Sequence, residues 1–526
     1  MNGAEAVVAT LLTCGVEVCF ANPGTSEMHL VAALDHQPAV RAVPCLFEGV
    51  ATGAADGYGR MTGRPAATLL HLGPGLGNGL ANLHNARRAA TPLVNLVGDH
   101  ATHHKPFDAP LESDIDALAG TVSGWVRRCT DARAAGMHAA AAVAAATAPP
   151  GQVATLILPA DTSWSPAASP APPLPSQAPT PVADDTVAAV AAALRSGEPA
   201  AILLGGPATR APSLRAAARV AAATGARLLC ETFLARLERG AGLPAVERLG
   251  YLPEGARAQL HGLRHLVLVG ARSPVSFFAY PETPSLLAPR DCDVGSLAGP
   301  GEDVISALTH LAEMLPPAIA ATAARARAEP PAGELTGETV AAAVGALLPE
   351  AAIVVDEANT SGLWLPAATG GAPPHDWLTL TGGAIGQGLP LAVGAAIACP
   401  DRPVVCLEAD GSAMYTPQAL WTMARECLDI TVVVHANRSY SVLEMEYDRL
   451  VLPQDTEGHR RARRDLLDLS RPDLDFTELA RGMGVPVFRS ADAAEFTAQF
   501  AKALAEPGPH LIEAPVPPLF GPRRIS

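Results

Sequence analysis

The stretch Val404-Val405-Cys406-Leu407-Glu408-Ala409-Asp410-Gly411-Ser412, followed after a helical segment by Ile430-Thr431-Val432-Val433-Val434-His435-Ala436-Asn437, decides the fold. Val404 to Leu407 is apolar enough for a strand buried on both faces, and the Asp-Gly-Ser turn leaves an oxygen ligand at that strand's carboxyl end. Pro417 to Glu426 reads as a helix. Ile430 to Val434 reads as a second, β-branched strand that delivers Asn437 to the same sheet edge. One strand-helix-strand unit therefore separates Asp410 from Asn437. An Asp-Gly-Ser turn alone is usually only a turn, but the spaced Asn adds a second oxygen. A small hard cation that keeps phosphate and water in its shell needs only one or two protein oxygens. Asp410, the Asn437 amide and a backbone carbonyl such as that of Ser439 would suffice, so the unit reads as a site for a magnesium-bound diphosphate.

Together Asp410, Gly411, Ser412 and Asn437 resemble the diphosphate-binding motif of thiamine diphosphate enzymes, with Ala409 where that family usually has Gly. A second segment is similar to the same family. Cys45-Leu46-Phe47-Glu48-Gly49-Val50-Ala51 places one carboxylate inside an apolar run, continued by Thr52 to Arg60. The resemblance implies that Glu48 hydrogen-bonds the aminopyrimidine ring and activates the thiazolium carbon. A third segment, Gly382 to Pro390, suits a close cofactor approach because glycine removes Cβ clashes. There the resemblance assigns Gly383 to the cofactor and gives Ile385 the place of the apolar wedge that bends it. Such bending makes proton removal effectively intramolecular.

The order of these segments is that of the acetolactate synthase, pyruvate oxidase and benzoylformate decarboxylase group, and similarity to benzoylformate decarboxylase extends further. Asn22-Pro23-Gly24-Thr25 resembles its substrate loop, with Thr25 replacing a substrate-contacting Ser. Leu70-His71-Leu72-Gly73 resembles its catalytic-histidine segment, which makes His71 the first candidate for proton transfer. Where that enzyme carries a second catalytic His, the segment Ala271 to Pro281 offers Phe277 and Phe278. His103 and His104 supply other imidazoles, as well suited to a solvated loop as to a relay.

Composition agrees. A chain of 526 residues is long enough for about three domains of roughly 150 to 200 residues. Connectors rich in Pro, Ala, Ser and Arg, Ser165 to Pro181 and Pro316 to Pro331, divide it into 1–165, 183–315 and 332–526. The expected roles are pyrimidine-binding, central and diphosphate-binding. Strand-helix alternation recurs in each part: Ala67–Leu70, Pro92–Val97 and Ala154–Leu158; Ala200–Leu204 and His265–Val269; Ile353–Val355, Val404–Leu407 and Ile430–Val434. The expected fold class is thus α/β, three doubly wound parallel-sheet domains. A net charge of −15 argues against nucleic-acid partners. Nine cysteines without a Cys-x-x-Cys pair fit reduced thiols in the cytoplasm, and no apolar run reaches membrane-spanning length.

The expected function is a thiamine diphosphate- and magnesium-dependent enzyme acting on a 2-oxo acid. It would form an acyl-anion intermediate by decarboxylation, as a carboligase or a decarboxylase. The resemblance also implies a homodimer or homotetramer with the cofactor at the subunit interface. FAD is conceivable in the central domain, but Gly205-Gly206-Pro207 and Gly270-Ala271-Arg272 are too weak to claim it. Two rivals remain. One is a dinucleotide-dependent oxidoreductase using Gly73 to Gly79 and Asp99, and the other is a non-catalytic homologue that kept the fold; the first leaves Glu48 and the Asp410/Asn437 pair without a role.

Overall fold

The computed structural model describes residues 1–166, 169–450 and 461–520. Ala167 and Ala168 of the first connector, and 451–460 and 521–526 of the expected third domain, lie outside the described residues.

Continuous β-branched and leucine-rich runs form three sheets. The first runs Arg41–Pro44, Val18–Asn22, Ala66–Leu70, Leu93–Asp99, Val153–Pro159 and Trp125–Arg128, all parallel. The second is also all parallel: Glu247–Arg248, Arg227–Cys230, Ala200–Leu204, His265–Val269 and Asp293–Ala298. The third runs Val487–Arg489, His510–Pro515, Ile430–Ala436, Val404–Ala409, Ile353–Glu357, His375–Thr379 and Leu237–Arg239. These are the three parallel-sheet α/β layers expected. Among the described strands one addition was not foreseen: Leu237–Arg239, from the middle of the chain, closes the third sheet as an antiparallel edge on His375–Trp377. Residues 169–183 and 316–336 carry no helix or strand.

The first and third layers dock through two helices rich in glycine and alanine. Glu48–Thr62 is buried on every side up to Met61 and stops at Gly63, whose φ of +68° is the left-handed cap glycine readily adopts. It crosses Gly388–Ala398, itself buried through Ile397. A Cβ added at Gly57 would stand 2.1 Å from the Leu391 carbonyl oxygen, and one at Gly394 would stand 1.8 Å from that of Ala54. Backbone therefore touches backbone at the crossing, and one continuous core spans both layers. A buried polar knot reinforces it. Arg60 pairs with Asp56 and donates to the Thr379 carbonyl at 2.8 Å, while Gln387 Nε2 donates to Asp56 at 2.8 Å. Each buried charge there is partnered, as its desolvation demands.

Candidate active site

The carboxyl ends of three neighbouring strands in the third sheet carry the turns that the sequence singles out. Asp410 follows Val404–Ala409, Asn437 follows Ile430–Ala436, and the turn Asn359–Gly362 follows Ile353–Glu357. Asp410 Oδ1 accepts from the Gly411 amide at 2.8 Å and Oδ2 accepts from the Arg438 amide, which ties the Asn437 turn onto the Asp410 turn. Asn437 Nδ2 donates to Ser361 Oγ at 3.2 Å, and Asn359 Nδ2 donates to Ser412 Oγ at 3.1 Å. Ser439 joins the group through its amide, which donates to Asn437 Oδ1 at 2.9 Å. Asn359 and Ser361 were not singled out from the sequence; their only cue is a polar run at the end of an apolar strand.

Asp410 is buried, and burial pushes its carboxyl up to about 6 against the two amides that favour the charged form. Among the described residues no Lys or Arg side chain pairs with it, and Arg438 turns instead to Asp473. A buried carboxylate without a cationic partner, beside amide and hydroxyl oxygens, is a donor set that suits a small hard cation.

The second group belongs to the first sheet. Glu48 heads its helix, is 6% exposed, and accepts from Asn78 Nδ2 at 3.0 Å. Gly75 lies between it and His71: a Cβ there would stand 3.1 Å from Glu48 Oε1 and 3.4 Å from His71 Cβ. His71 caps the helix Leu72–Arg88, and its Nδ1 meets Glu27 Oε2 at 2.8 Å and Ser26 Oγ at 3.2 Å. Glu27 is wholly buried and its Oε2 also accepts from the Gly24 amide at 2.8 Å. Glu27 is a residue the sequence reading missed. Thr25 is exposed, and the hydroxyl that reaches His71 belongs to its neighbour Ser26. Backbone strain marks these turns: Leu72 (φ +49°), Asn359 (+50°) and Arg438 (+58°) are left-handed without being glycine.

The Gly382–Gly388 loop lies between the two groups. Asn82 Nδ2 donates to the Gly49 carbonyl at 2.8 Å and to that of Gly386 at 3.3 Å, and Asn85 Nδ2 donates to that of Ala384 at 2.8 Å. Ile385 is half-buried on this loop. Gly383 (φ +76°) abuts Phe277, whose ring would stand 2.7 Å from a Cβ at that position. Phe277 in turn packs edge-on to Phe233 and Phe278 and tilted against Tyr251, an aromatic wall beside the loop. Among the described residues no hydrogen bond runs directly from Glu48 or His71 to Asp410 or Asn437. His103 and His104 are exposed, the first near Trp164 and the second near His100 and Phe107.

Beneath the loop lies a buried acid pair. Glu357 and Glu408 are register partners on adjacent strands. Burial, then the Glu357 charge, raises the Glu408 carboxyl well above its usual range; burial also raises Glu357, against the amides of Gly388 and Gly386.

A family model described as thiamine pyrophosphate enzyme, N-terminal TPP binding domain, matches residues 1–120, and its C-terminal TPP binding counterpart matches 359–514. A Mycobacterium tuberculosis protein named "putative acetolactate synthase large subunit IlvX" is 61% identical over 523 residues, 99% of this chain and 100% of that protein. The chain belongs to the thiamine diphosphate enzyme family. Benzoylformate decarboxylase of Pseudomonas aeruginosa is 29% identical over 536 residues, 95% of this chain and 96% of that one. The solved thiamine diphosphate-dependent 4-hydroxybenzoylformate decarboxylase of Rhodococcus jostii superposes with a TM-score of 0.84 at 25% identity, covering 98% of this chain and 99% of that one. The protein is thus a thiamine diphosphate-dependent enzyme of the acetolactate synthase and benzoylformate decarboxylase type.

Membership in this family displaces the dinucleotide reading, and the structure gives its residues other work. Gly73 to Gly79 lie inside a helix, where Gly75 admits Glu48 and a Cβ at Gly79 would come within 2.9 Å of Thr52. Asp99 is committed to Lys105 at 3.0 Å and to Arg128. In the second sheet, Gly270 packs against the Gly205 carbonyl and Gly205 against Glu231, which accounts for those glycines by packing. Among the described residues no helix is long and apolar enough to cross a membrane.

Proposed function

We propose that the protein decarboxylates a 2-oxo acid and passes the product carbon either to a proton or to a second carbonyl compound. The observation that carries this reading is the Arg438 amide bonded to Asp410, which joins the two turns of the diphosphate motif at one sheet edge. Asp410, Asn437 and a backbone oxygen near Ser439 would hold magnesium, with Gly411, Ser412 and Gly383 close to the cofactor and Ile385 shaping it. When bound, thiamine diphosphate supplies an electron sink for the pair left as carbon dioxide departs.

The chain's own groups do the remaining work. Glu48, oriented by Asn78, exchanges a proton with the cofactor's aminopyrimidine. His71, held at Nδ1 by Glu27, presents Nε2 for proton transfer at the reacting carbon, with Thr25 at the mouth of that loop. Phe277 at Gly383 supplies an apolar surface beside the cofactor loop. A second copy of the chain completes the site: Leu46 beside Glu48 is 53% exposed, and Tyr415 beside the Ser412 turn is 52% exposed, apolar surface of the kind that partners cover.

The test is calorimetric titration of the cofactor-stripped protein with thiamine diphosphate, with and without magnesium, followed by carbon dioxide release from aliphatic and aromatic 2-oxo acids. Magnesium-dependent binding with release of carbon dioxide is expected, and the aldehyde or 2-hydroxy ketone formed names the reaction. Absence of binding would sink the reading.

A further inference from the structure

Glu357 and Glu408 face the same side of the third sheet because they stand in register on parallel neighbours. The helix Gly388–Ala398 covers that side, and its first residue must be small: a Cβ at Gly388 would stand 2.1 Å from Glu408 Oε2 and 3.1 Å from Glu357 Oε2. Glu357 spends both oxygens on the loop above it. Oε1 accepts from the Gly386 amide at 2.8 Å and Oε2 accepts from the Gly388 amide, with the Ser412 hydroxyl a further donor. Glu408 is fully buried and its Oε1 has no partner among the described residues.

Stability does not account for such a pair. Two buried carboxyls cost more in lost hydration than an apolar pair of the same shape, so the fold alone favours valine or leucine here. What Glu357 fixes is a turn whose backbone glycine adopts readily and other residues do not. Gly383 and Gly386 have φ of +76° and +89°, and Ile385 stands between them. The Gly386 carbonyl is gripped from the other side by Thr416 Oγ1 at 2.9 Å, and Gln387 reaches Asp56. The turn is thereby clamped at both its N–H and its C=O groups, and Glu357 is the buried carboxylate that holds those amides and the Ser412 hydroxyl together.

We propose that Glu357 is a positioning residue: its carboxylate locks the Gly386–Gly388 turn, and with it Ile385, to the Ser412 turn. The bend of the bound cofactor is then set from beneath by a side chain that never touches it. This rests on the thiamine diphosphate reading above. A misplacement of about 1 Å at such a site costs about 100-fold in rate, so the turn matters more to cofactor activation than to cofactor affinity.

The test uses the full chain. Amide hydrogen exchange over residues 382–390 is measured on the cofactor-free protein. Thiamine diphosphate affinity with magnesium is measured by calorimetry, and deuterium exchange at the thiazolium C2 of the bound cofactor by NMR. In Glu357→Gln one acceptor oxygen becomes a donor aimed at an N–H. Amide exchange across the turn is expected to rise about tenfold and C2 exchange to fall about 100-fold, with the dissociation constant moving about threefold or less. Glu408 shares a side-chain hydrogen bond with Glu357; Glu408→Gln keeps the size of the side chain and still offers Glu357 a donor, so its C2 exchange stays within about threefold of the unmodified protein. Glu357→Asp, which retains the charge but shortens the reach, falls between them and is read instead if Glu357→Gln does not fold. Unchanged amide and C2 exchange in Glu357→Gln, or in Glu357→Asp where that replaces it, overturns the proposal, as does an equal loss in Glu357→Gln and Glu408→Gln. Failure of the unmodified protein to bind thiamine diphosphate overturns the functional reading and this proposal together.

Discussion

His71 Nδ1 lies 2.8 Å from Oε2 of Glu27, a carboxylate fully shielded from solvent. A carboxylate at Nδ1 fixes the ring's orientation and keeps the Nδ1 proton in place, leaving Nε2 as the nitrogen that exchanges protons. Glu27→Gln is therefore expected to lower kcat about 10-fold or more while KM changes little, and His71→Ala to lower it about 100-fold or more. Steady-state kinetics on the accepted 2-oxo acid measures both. Equal kcat in Glu27→Gln and the unmodified protein would remove the carboxylate from the proton path.

Among the described residues Glu48 has a single side-chain hydrogen-bond partner, Asn78, at 3.0 Å. Glu48→Gln keeps its shape and that contact but removes the transferable proton, so turnover is expected to drop about 100-fold or more with cofactor affinity nearly intact. Asn78→Ala frees the Glu48 carboxylate to rotate and costs less, about tenfold. Normal turnover in Glu48→Gln would exclude it as the activating group, whatever the binding data show.

Asp410 holds two amides of its own backbone neighbourhood besides any cation. Asp410→Ala is expected to abolish the magnesium dependence of thiamine diphosphate binding. Calorimetry with magnesium, and again with a chelator, would then give the same weak isotherm. A persistent difference between the two titrations would place the cation elsewhere.

His375 gives the fold a pH dependence of its own. It is 3% exposed, its Nδ1 donates to the Pro373 carbonyl at 2.7 Å, and its Nε2 has no partner among the described residues. Burial depresses its pKa to about 4, against about 6.5 in an unfolded chain. The folded protein thus keeps it neutral while the unfolded chain takes up a proton below about 6.5. Its contribution to stability is complete above that pH and is lost as pH falls toward 4, by at most about 3 kcal/mol. His375→Asn, which can still donate to Pro373, should flatten the decline of the urea midpoint between those pH values. An unchanged slope would show that His375 is not the group responsible.

Much of this arrangement was legible in the chain. Buried parallel strands are continuous apolar runs, so Ala200–Leu204 and His265–Val269 could be bounded to the residue. Asp410 and Asn437 were legible because one strand-helix-strand unit is short enough to read as a spacing. Glu27, Glu357 and Glu408 were not. Each is an acid in or beside an apolar run, and the partners that give it meaning, His71 and the Gly386 and Gly388 amides, are distant in sequence. The choice between Thr25 and Ser26 turns on the direction of a three-residue helical turn, which no periodicity encodes. The edge strand Leu237–Arg239 is too short and too polar to announce its pairing.

The crossing of Glu48–Thr62 over Gly388–Ala398 connects the docking of the layers to the chemistry, because Glu48 heads one helix and the cofactor loop enters the other. Gly394→Ala would bring a methyl carbon to 1.8 Å from the Ala54 carbonyl oxygen, and backbone cannot swing aside as a side chain can. The helices must separate, at a cost of about 1–3 kcal/mol or more. That separation would also shift Glu48 relative to Ile385. The expected result is therefore a lower unfolding midpoint and, at temperatures where the variant is folded, a turnover defect with little change in thiamine diphosphate affinity. Gly77→Ala serves as the control, since a Cβ there meets nothing within 4 Å. Equal midpoints for the two variants would mean that the layers are not held by this contact.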